Sequence, residues 1–370
     1  MGAVFYDAAA GSGKTTHLVG LASECKAGNV LFTTFTDNNT EEIRRVFLRE
    51  KGSIPGNIDI LPWYTFLLRE CVRPFQGVVF ELSRETISGV MLASGASAKL
   101  TRKSELRYYG SWRDDGTLCV YSDKLSELAL LIDEESGGAV FDRLGRLYSM
   151  VCIDEVQDMA GYDLELVAKL LEAVGDVRLA GDQRQATYHT ANVRKNMKYR
   201  SSGFGRFIAD NGLHCEVDTE TLRVCYRCPQ DIVDLADALY PQLPRTISGA
   251  RYPEDSSCIG VFLVRESDAA RYVESLKAVA LIHSRRAKVP DGISTLNMGA
   301  VKGRTFDSVL VFPTKDMREW LLDHSVSIAD TSRAKLYVAI TRARLSVAFV
   351  VPDDFDPAAA PFEFWKASDN

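Results

Sequence analysis

The residues near the start of the chain that are best suited to chemistry form a small-residue loop. It precedes Lys14, Thr15 and Thr16 and comprises Ala8, Ala9, Ala10, Gly11, Ser12 and Gly13. Small side chains let backbone N–H groups approach phosphate oxygens, which larger side chains would obstruct. A lysine after such a loop reaches the β- and γ-phosphates, and the next hydroxyl suits Mg²⁺. We therefore predict that residues 10–16 bind the phosphates of ATP, with Mg²⁺ at Thr15.

The elements on either side of this loop fit such a site. The apolar run of residues 3–6 predicts a strand, and residues 16–22 have a helical pattern. The amino end of a helix adds a partial positive charge that favours phosphate. Ala8 stands where the general motif has its first glycine. A chance glycine-rich turn is the alternative, and the Lys-Thr pair after a strand disfavours it.

An acidic pair, Asp154 and Glu155, is the second set of candidate catalytic residues. The apolar run of residues 150–153 predicts a strand that ends at this pair. Ligands of α/β proteins bind at the carboxyl ends of strands. We predict that Asp154 holds Mg²⁺, directly or through water, and that Glu155 orients or deprotonates the attacking water. An Asp-Glu pair after a strand is common and by itself indicates no function. Together with the phosphate loop upstream, it indicates a site for nucleotide hydrolysis.

Two further features follow the strand predicted at residues 177–180. Gln185 has an amide that donates and accepts, so it can contact a γ-phosphate and a water together. Residues 184–206 contain six Lys or Arg, no Asp or Glu, and Tyr188. Rings that stack on bases and cations that follow phosphates suit single-stranded nucleic acid. An exposed basic loop is the alternative, and residues 102–113 form a weaker candidate strip.

Composition limits the classes of protein that need be considered. The net charge is −6, so nucleic-acid binding must depend on local basic strips. No apolar run approaches 18 residues, so we expect no leader and no membrane segment. Eight scattered cysteines predict reduced thiols and a cytoplasmic location. Cys225 and Cys228 have metal-ligand spacing, but a second pair is missing.

The alternation of predicted strands and helices indicates an α/β fold with parallel sheets. We expect a first domain at residues 1–74 and 146–206. An inserted, mainly helical subdomain is predicted at 75–145, where the periodicity weakens. A second α/β domain is predicted at 207–370.

Seven segments, taken in order, resemble the motifs of the UvrD/Rep/PcrA-type superfamily 1 DNA helicases. They include IDEVQD, GDQRQATY and LYVAITRA, and the resemblance covers nearly the whole chain. The segments are residues 8–15, 33–36, 153–158, 181–188, 225–228, 302–307 and 336–343. The resemblance implies two RecA-like domains that both contribute to ATP hydrolysis.

The resemblance also implies individual roles. Gln185 senses the γ-phosphate, Arg227 reaches it, and Arg342 acts as an arginine finger. Tyr226 stacks on adenine, and Gly303 belongs to a nucleotide-binding motif. The residues expected to contact nucleic acid are Thr34, Phe35, Tyr64, Tyr188, Arg194, Lys195 and Lys198.

The function implied is an ATP- and Mg²⁺-dependent translocase or helicase on single-stranded DNA, moving 3′→5′, with RNA not excluded. Thr305 and Gly299 depart from the family pattern, and the stretch between Arg227 and Thr295 is too short for the family's large insertion. We therefore expect a monomer, without a membrane partner, whose unwinding depends on a partner such as a nuclease or a replication or repair factor. A nucleotide-regulated nucleic-acid clamp is the alternative from another class, and a small-molecule kinase is disfavoured.

Overall fold

The computed structural model describes residues 2–80, 86–93, 96–187, 194–200, 203–253, 258–359 and 361–367. The contacts within the chain divide it into two compact units. The first unit comprises Met1–Asp7, Lys14–Gly181 and Tyr188–Asp218. The second comprises Ala8–Gly13, Asp182–Thr187 and Thr219–Asn370.

The first unit alternates strands and helices. Its elements are β1 (Ala3–Asp7), α1 (Lys14–Glu24), β2 (Asn29–Thr34), α2 (Asp37–Lys51), β3 (Ile58–Pro62), α3 (Trp63–Phe66), β4 (Ile87–Met91), α4 (Leu106–Tyr109), β5 (Gly110–Trp112), β6 (Leu118–Tyr121), α5 (Leu125–Glu135), α6 (Ala139–Leu147), β7 (Tyr148–Asp154), α7 (Tyr162–Ala173), β8 (Val177–Gly181), α8 (Phe204–Asp210) and β9 (Cys215–Asp218). A π-helical segment, Leu67–Val72, continues α3, and short 3₁₀ turns lie at Arg73–Val78, Val156–Asp158 and Met197–Tyr199.

Six of these strands form one sheet in the order β3-β2-β7-β8-β1-β9, and all neighbours are parallel. The central strands are apolar runs buried on both faces, as parallel sheets require. Because β1 and β7 both pair with β8, the segments that follow them emerge at the same edge of the sheet. The last strand, β9, pairs with β1, so this sheet extends to Asp218 although the sequence places a second domain from residue 207.

The segment predicted as a mainly helical insertion also contains a small sheet. β4 pairs with β6 in parallel, and β5 pairs with β6 in the antiparallel sense. Helices α5 and α6 follow this sheet, and α5 buries Leu125, Leu128 and Ile132 in the core of the first unit. The sequence interpretation missed the three strands, which are only three to five residues long.

The second unit has its own parallel sheet. Its elements are β10 (Val224–Cys225), α9 (Gln230–Ala238), β11 (Ile247–Ser248), β12 (Gly260–Arg265), α10 (Ala269–Leu276), β13 (Val279–Ile282), β14 (Thr295–Asn297), β15 (Phe306–Phe312), α11 (Lys315–Leu322), α12 (Asp330–Ile340) and β16 (Ala343–Val351), with 3₁₀ turns at Gln183–Gln185, Glu266–Asp268, Gly299–Val301 and Pro357–Ala359. Five strands form the sheet in the order β12-β16-β15-β13-β14, all parallel.

Two parallel α/β sheets with connecting helices are the architecture of RecA-like domains, so the predicted fold class is confirmed. Within the described ranges, none of the helices combines the length and the apolar character needed to cross a membrane.

Candidate nucleotide site and nucleic-acid surfaces

The phosphate loop has the backbone geometry that its composition predicts. Gly11 and Gly13 have φ values of 72° and 84°, in the left-handed region that favours glycine. A Cβ atom on Gly13 would meet nothing within 4 Å, so the space beside its backbone is open. The hydroxyl of Ser12 is buried and makes no hydrogen bond with any residue in the described part of the chain. A buried donor without a partner fits a loop that binds phosphate oxygens.

The candidate catalytic side chains of the first unit lie together at the carboxyl edge of its sheet. The Thr15 hydroxyl donates to Asp154 Oδ2 at 2.5 Å. Lys14 Nζ lies 3.6 Å from Glu155 Oε1, and both side chains are at least 84% buried (10% and 16% exposed). Two pairs of adjacent residues, which lie about 140 positions apart in the chain, thus form one cluster of a cation, a hydroxyl and two carboxylates.

The electrostatics of this cluster favour a bound cation. Burial, and then the neighbouring charge of Glu155, raise the pKa of Asp154 to about 6. Its Oδ1 accepts a hydrogen bond from the Glu155 backbone N–H at 2.8 Å. A divalent cation next to two buried carboxylates would offset their repulsion, so the residues present fit Mg²⁺.

Glu155 is held in an unusual conformation. Its φ of 58° lies in the left-handed region, which costs a residue with a Cβ about 1–3 kcal/mol and is concentrated at functional sites. Gln157 Nε2 donates to Glu155 Oε2 at 2.5 Å and fixes the direction of the carboxylate. Gly181 leaves room for this arrangement, because a Cβ there would lie 2.6 Å from Gln157 Oε1. The sequence interpretation missed Gln157, although it stands within the DEVQD motif.

In the second unit, the aromatic and basic residues predicted to bind the nucleotide adjoin Gly11. The Tyr226 N–H donates to Gly11 O at 3.0 Å, and the Tyr226 side chain is 66% exposed. A Cβ on Gly11 would lie 2.8 Å from Arg227 Cβ, so only glycine fits this approach. Gly249 similarly lies against the Tyr226 ring, which a Cβ would meet at 3.1 Å. An exposed ring beside the loop is available for stacking.

Gln185 and Arg342 form a buried hydrogen-bonded pair. Arg342 Nη2 donates to Gln185 Oε1 at 3.3 Å, and Gln185 Nε2 donates to Asp182 Oδ2 at 2.7 Å. Arg342 is 2% exposed and also donates to the carbonyl oxygens of Val338 and Arg304. The guanidinium predicted to be an arginine finger is therefore tied to its own unit.

Sequence reasoning missed the residues that support this pair. Asp182 is fully buried and accepts from the Tyr337 hydroxyl at 3.1 Å as well as from Gln185. Arg184, counted within the predicted basic strip, is 4% exposed and donates to Pro244 O at 2.6 Å. Arg184 consequently belongs to the interior of the second unit. The positions of Asp182 and Tyr337 inside two of the seven motifs are the signal that could have identified them.

The cysteine pair lies next to these residues. The Cys228 N–H donates to Cys225 Sγ at 3.4 Å, and both thiols are free and buried. The hydrogen bond from the Cys228 side chain is the main cause that lowers the pKa of Cys225 to about 6. Among the residues described, no three His, Cys, Asp or Glu side chains are placed to hold a metal ion together.

Three further residues are predicted to contact the nucleotide. Ala10 is buried in the core of the second unit, and Thr16 is exposed on α1. Gly303 has a φ of 83° and open space around its Cα.

Two of the predicted nucleic-acid residues line one cavity of the first unit. Phe35 and Tyr64 follow the carboxyl ends of β2 and β3, and their rings meet edge to face with centroids 5.5 Å apart. The cavity measures about 580 Å³ and is also lined by Pro62 and Val90. Thr34 is fully buried at the end of β2, so its side chain is not presented at the surface.

The basic strip is partly neutralised by carboxylates. Lys195 Nζ lies 3.3 Å from Glu165 Oε1, and Lys198 Nζ lies 3.3 Å from Asp210 Oδ2. Arg194 is exposed and forms no ion pair within the described ranges. Tyr188 lies outside the described residues.

Two side chains of the weaker strip at residues 102–113 contact the same carboxylate. Lys103 forms an ion pair with Glu127, and the Tyr108 hydroxyl donates to Glu127 Oε2 at 3.0 Å. Burial, and then the Glu127 charge, raise the pKa of Tyr108 to about 12. Trp112 is half exposed, whereas Tyr109 is buried.

The fold and the clustered motif residues define a RecA-like α/β protein with a phosphate loop. Residues 139–351 match the family model described as the viral superfamily 1 RNA helicase core domain. The match covers more than half of the 370 residues, and the chain therefore belongs to this family. The matched range contains Asp154, Gln185 and Arg342, and the phosphate loop precedes it. The predicted membership in superfamily 1 is confirmed.

Solved helicase structures are similar to the chain at low identity. The crystal structure of arterivirus nonstructural protein 10, a helicase, shares 16% identity at a TM-score of 0.46, covering 98% of this chain and 62% of that one. A complex of arterivirus nonstructural protein 10 with DNA shares 15% identity at a TM-score of 0.48, and the match covers 95% of this chain and 61% of that one. A PRRSV helicase shares 15% identity at a TM-score of 0.43, and the match covers 96% of this chain and 53% of that one. The chain thus spans at most about three fifths of these helicases. No curated protein sequence matches it.

Proposed function

We propose that the protein is an NTP-dependent translocase or helicase on single-stranded nucleic acid, with ATP as the nucleotide. The observation that carries this proposal is the convergence of Lys14, Thr15, Asp154 and Glu155, since a phosphate loop beside a strand-end carboxylate pair is the arrangement that phosphoryl transfer requires. Membership in a helicase core family supports movement on nucleic acid as the purpose of hydrolysis.

The residues of the site divide the chemistry among them. The open backbone at Gly13 and the free hydroxyl of Ser12 bind phosphate oxygens, and Lys14 neutralises their charge. Glu155, oriented by Gln157, accepts the proton of the attacking water. Thr15 and Asp154 would hold Mg²⁺, which would neutralise charge on the phosphates. Tyr226 presents an exposed face for the base, and Arg227 and Arg342 supply positive charge for the γ-phosphate.

The decisive experiment is steady-state hydrolysis of ATP with no nucleic acid, with single-stranded DNA and with single-stranded RNA. We expect stimulation by at least one of the two. The motif resemblance favours DNA, whereas the family description names RNA, so both polymers are needed. Hydrolysis that neither polymer changes would argue for a small-molecule enzyme instead.

Movement, polarity and partners form a second level of the proposal. The resemblance of the motifs supports the UvrD/Rep/PcrA branch and 3′→5′ movement, with Thr305 as the residue that departs from that branch. Displacement of streptavidin from either end of an oligonucleotide measures polarity. ATP-dependent binding without displacement would favour the clamp. A monomer that needs a nuclease or a replication or repair factor to unwind long duplexes is expected, because a large insertion is missing from the second unit.

Tyr64 gives a test of the nucleic-acid surface. We expect Tyr64→Ala to weaken single-strand binding by about 1–3 kcal/mol, because a base that stacks on the ring loses its contact. Tyr64→Phe keeps the ring and should bind nearly as well as the parent chain. Fluorescence anisotropy with a labelled oligothymidylate measures the difference. Equal affinity of both variants would place the bases elsewhere.

Arg194 gives a test of the basic strip. Because Lys195 and Lys198 already face carboxylates, we expect Arg194→Glu to reduce the salt dependence of binding more than either lysine reversal does. Loss of one phosphate contact lowers the slope of log K against log salt by about 0.7 for single strands. Lys195→Glu is the matched control. Identical slopes for all three variants would remove the strip from the binding path.

A further inference from the structure

A cavity of about 400 Å³ lies in the second unit, and none of its lining residues has been assigned a role above. It sits at the carboxyl ends of four neighbouring strands, β12, β16, β15 and β13. Glu266 follows β12, His283 follows β13, and Pro313 and Pro352 follow β15 and β16. The carboxyl edge of a parallel sheet is the place where α/β proteins bind ligands.

The charges that line this cavity are unbalanced. Three cations, Arg286, Lys288 and Arg318, line it, and Glu266 is the single carboxylate among the lining residues. None of these three cations forms an ion pair or a side-chain hydrogen bond with a residue in the described part of the chain. Lys195, by contrast, forms an ion pair with Glu165.

His283 also lines this cavity. Burial, and then the charge of Lys335, lower the pKa of His283 below its usual value. Its Nε2 lies 3.2 Å from the Ser332 hydroxyl, so a polar ring also faces this edge of the sheet. Cations that point into a cavity without an internal partner are suited to an anion from outside.

We propose that this cavity is a second anion site, which binds a phosphate group through Arg286, Lys288 and Arg318. The phosphate can come from the backbone of a nucleic-acid strand or from a free nucleotide, and the chemistry of recognition is the same. The backbone source rests on the proposed function, whereas anion binding itself does not. Three cations around one cavity match the two or three charged oxygens of either ligand.

The test uses the full chain and charge reversal at the exposed Lys288, with Arg318→Glu as a second variant. Lys277→Glu is the matched control, since Lys277 is also exposed but precedes the amino end of β13, at the opposite edge of the sheet. Thermal melting shows that each variant is folded. Basal ATP hydrolysis should be unchanged in Lys288→Glu. A failure of the catalytic proposal would be seen separately, because the parent chain itself would then not hydrolyse ATP.

Two titrations distinguish the sources of the phosphate. If the backbone binds, Lys288→Glu lowers the salt slope of oligothymidylate binding by at least about 0.7, and Lys277→Glu does not. If a free nucleotide binds, calorimetry with ATP gives two sites in the parent chain and one in Lys288→Glu. Either result supports the anion site. Salt slopes and ATP stoichiometry equal to those of Lys277→Glu in both reversal variants would overturn it.

Discussion

Glu155→Gln is expected to bind ATP normally and to hydrolyse it about 10²–10⁴-fold more slowly, the usual contribution of a general base. The amide keeps the size of the side chain and can still contact Gln157, but it cannot accept a proton from water. Lys14→Ala is expected to lose both binding and turnover, with a fall in kcat of at least about 10²–10³-fold, because a preorganised cation at the phosphates is removed. It also leaves the Glu155 carboxylate without its cation.

These two variants are separated by measuring binding and turnover independently. A fluorescent ATP analogue reports affinity, and single-turnover hydrolysis reports the chemical step. Lys26→Ala is the control for Lys14→Ala, since Lys26 is exposed and, among the residues described, donates only to Ser23 O. Near-normal hydrolysis by Glu155→Gln would mean that another residue positions the water, and Gln157→Ala would then be the next variant to measure.

The nucleotide cluster is the part of the site that the sequence predicts well. A loop after β1 and an acidic pair after β7 must approach each other, because both strands pair with β8 in a parallel sheet. Short motifs with fixed backbone geometry therefore locate Lys14, Thr15, Asp154 and Glu155 without any knowledge of the packing. The same reasoning gives the parallel α/β fold from the alternation of strands and helices.

The basic strip shows what local composition cannot predict. Residues 184–206 contain basic residues and no acidic ones, but Lys195 forms an ion pair with Glu165, which lies 30 positions earlier in the chain. Arg184 is buried because Tyr240 and Pro244 pack beside it. These residues are distant in the sequence, so counting charges along the chain cannot predict the contact. The three-stranded sheet at β4, β5 and β6 was missed for a similar reason. Strands of three to five residues have too little alternation to be recognised, and their pairing depends on distant partners.

Arg342 gives the second large effect, which concerns stability as well as catalysis. We expect Arg342→Ala to lower kcat on the order of 10³-fold, as the loss of an arginine finger does. We also expect it to lower the free energy of unfolding by about 2–4 kcal/mol, because buried acceptors such as Val338 O lose a donor. Arg227→Ala should lower kcat similarly at little cost in stability, since Arg227 is half-buried and donates to Thr341 O alone among the residues described. Urea unfolding measures the difference.

The hydrogen bond between Arg342 and Gln185 allows the catalytic role to be tested apart from the structural one. If Arg342 acts through Gln185, the double variant Arg342→Ala/Gln185→Ala should be no slower than the slower single variant, because both changes remove one coupled unit. If the two side chains act independently, their effects on kcat should multiply. Tyr337→Phe is the control, since it removes a hydrogen bond to Asp182 and leaves the Arg342 contacts in place. Unchanged kcat in a folded Arg342→Ala protein would make Arg342 a structural residue and leave Arg227 as the cation for the γ-phosphate.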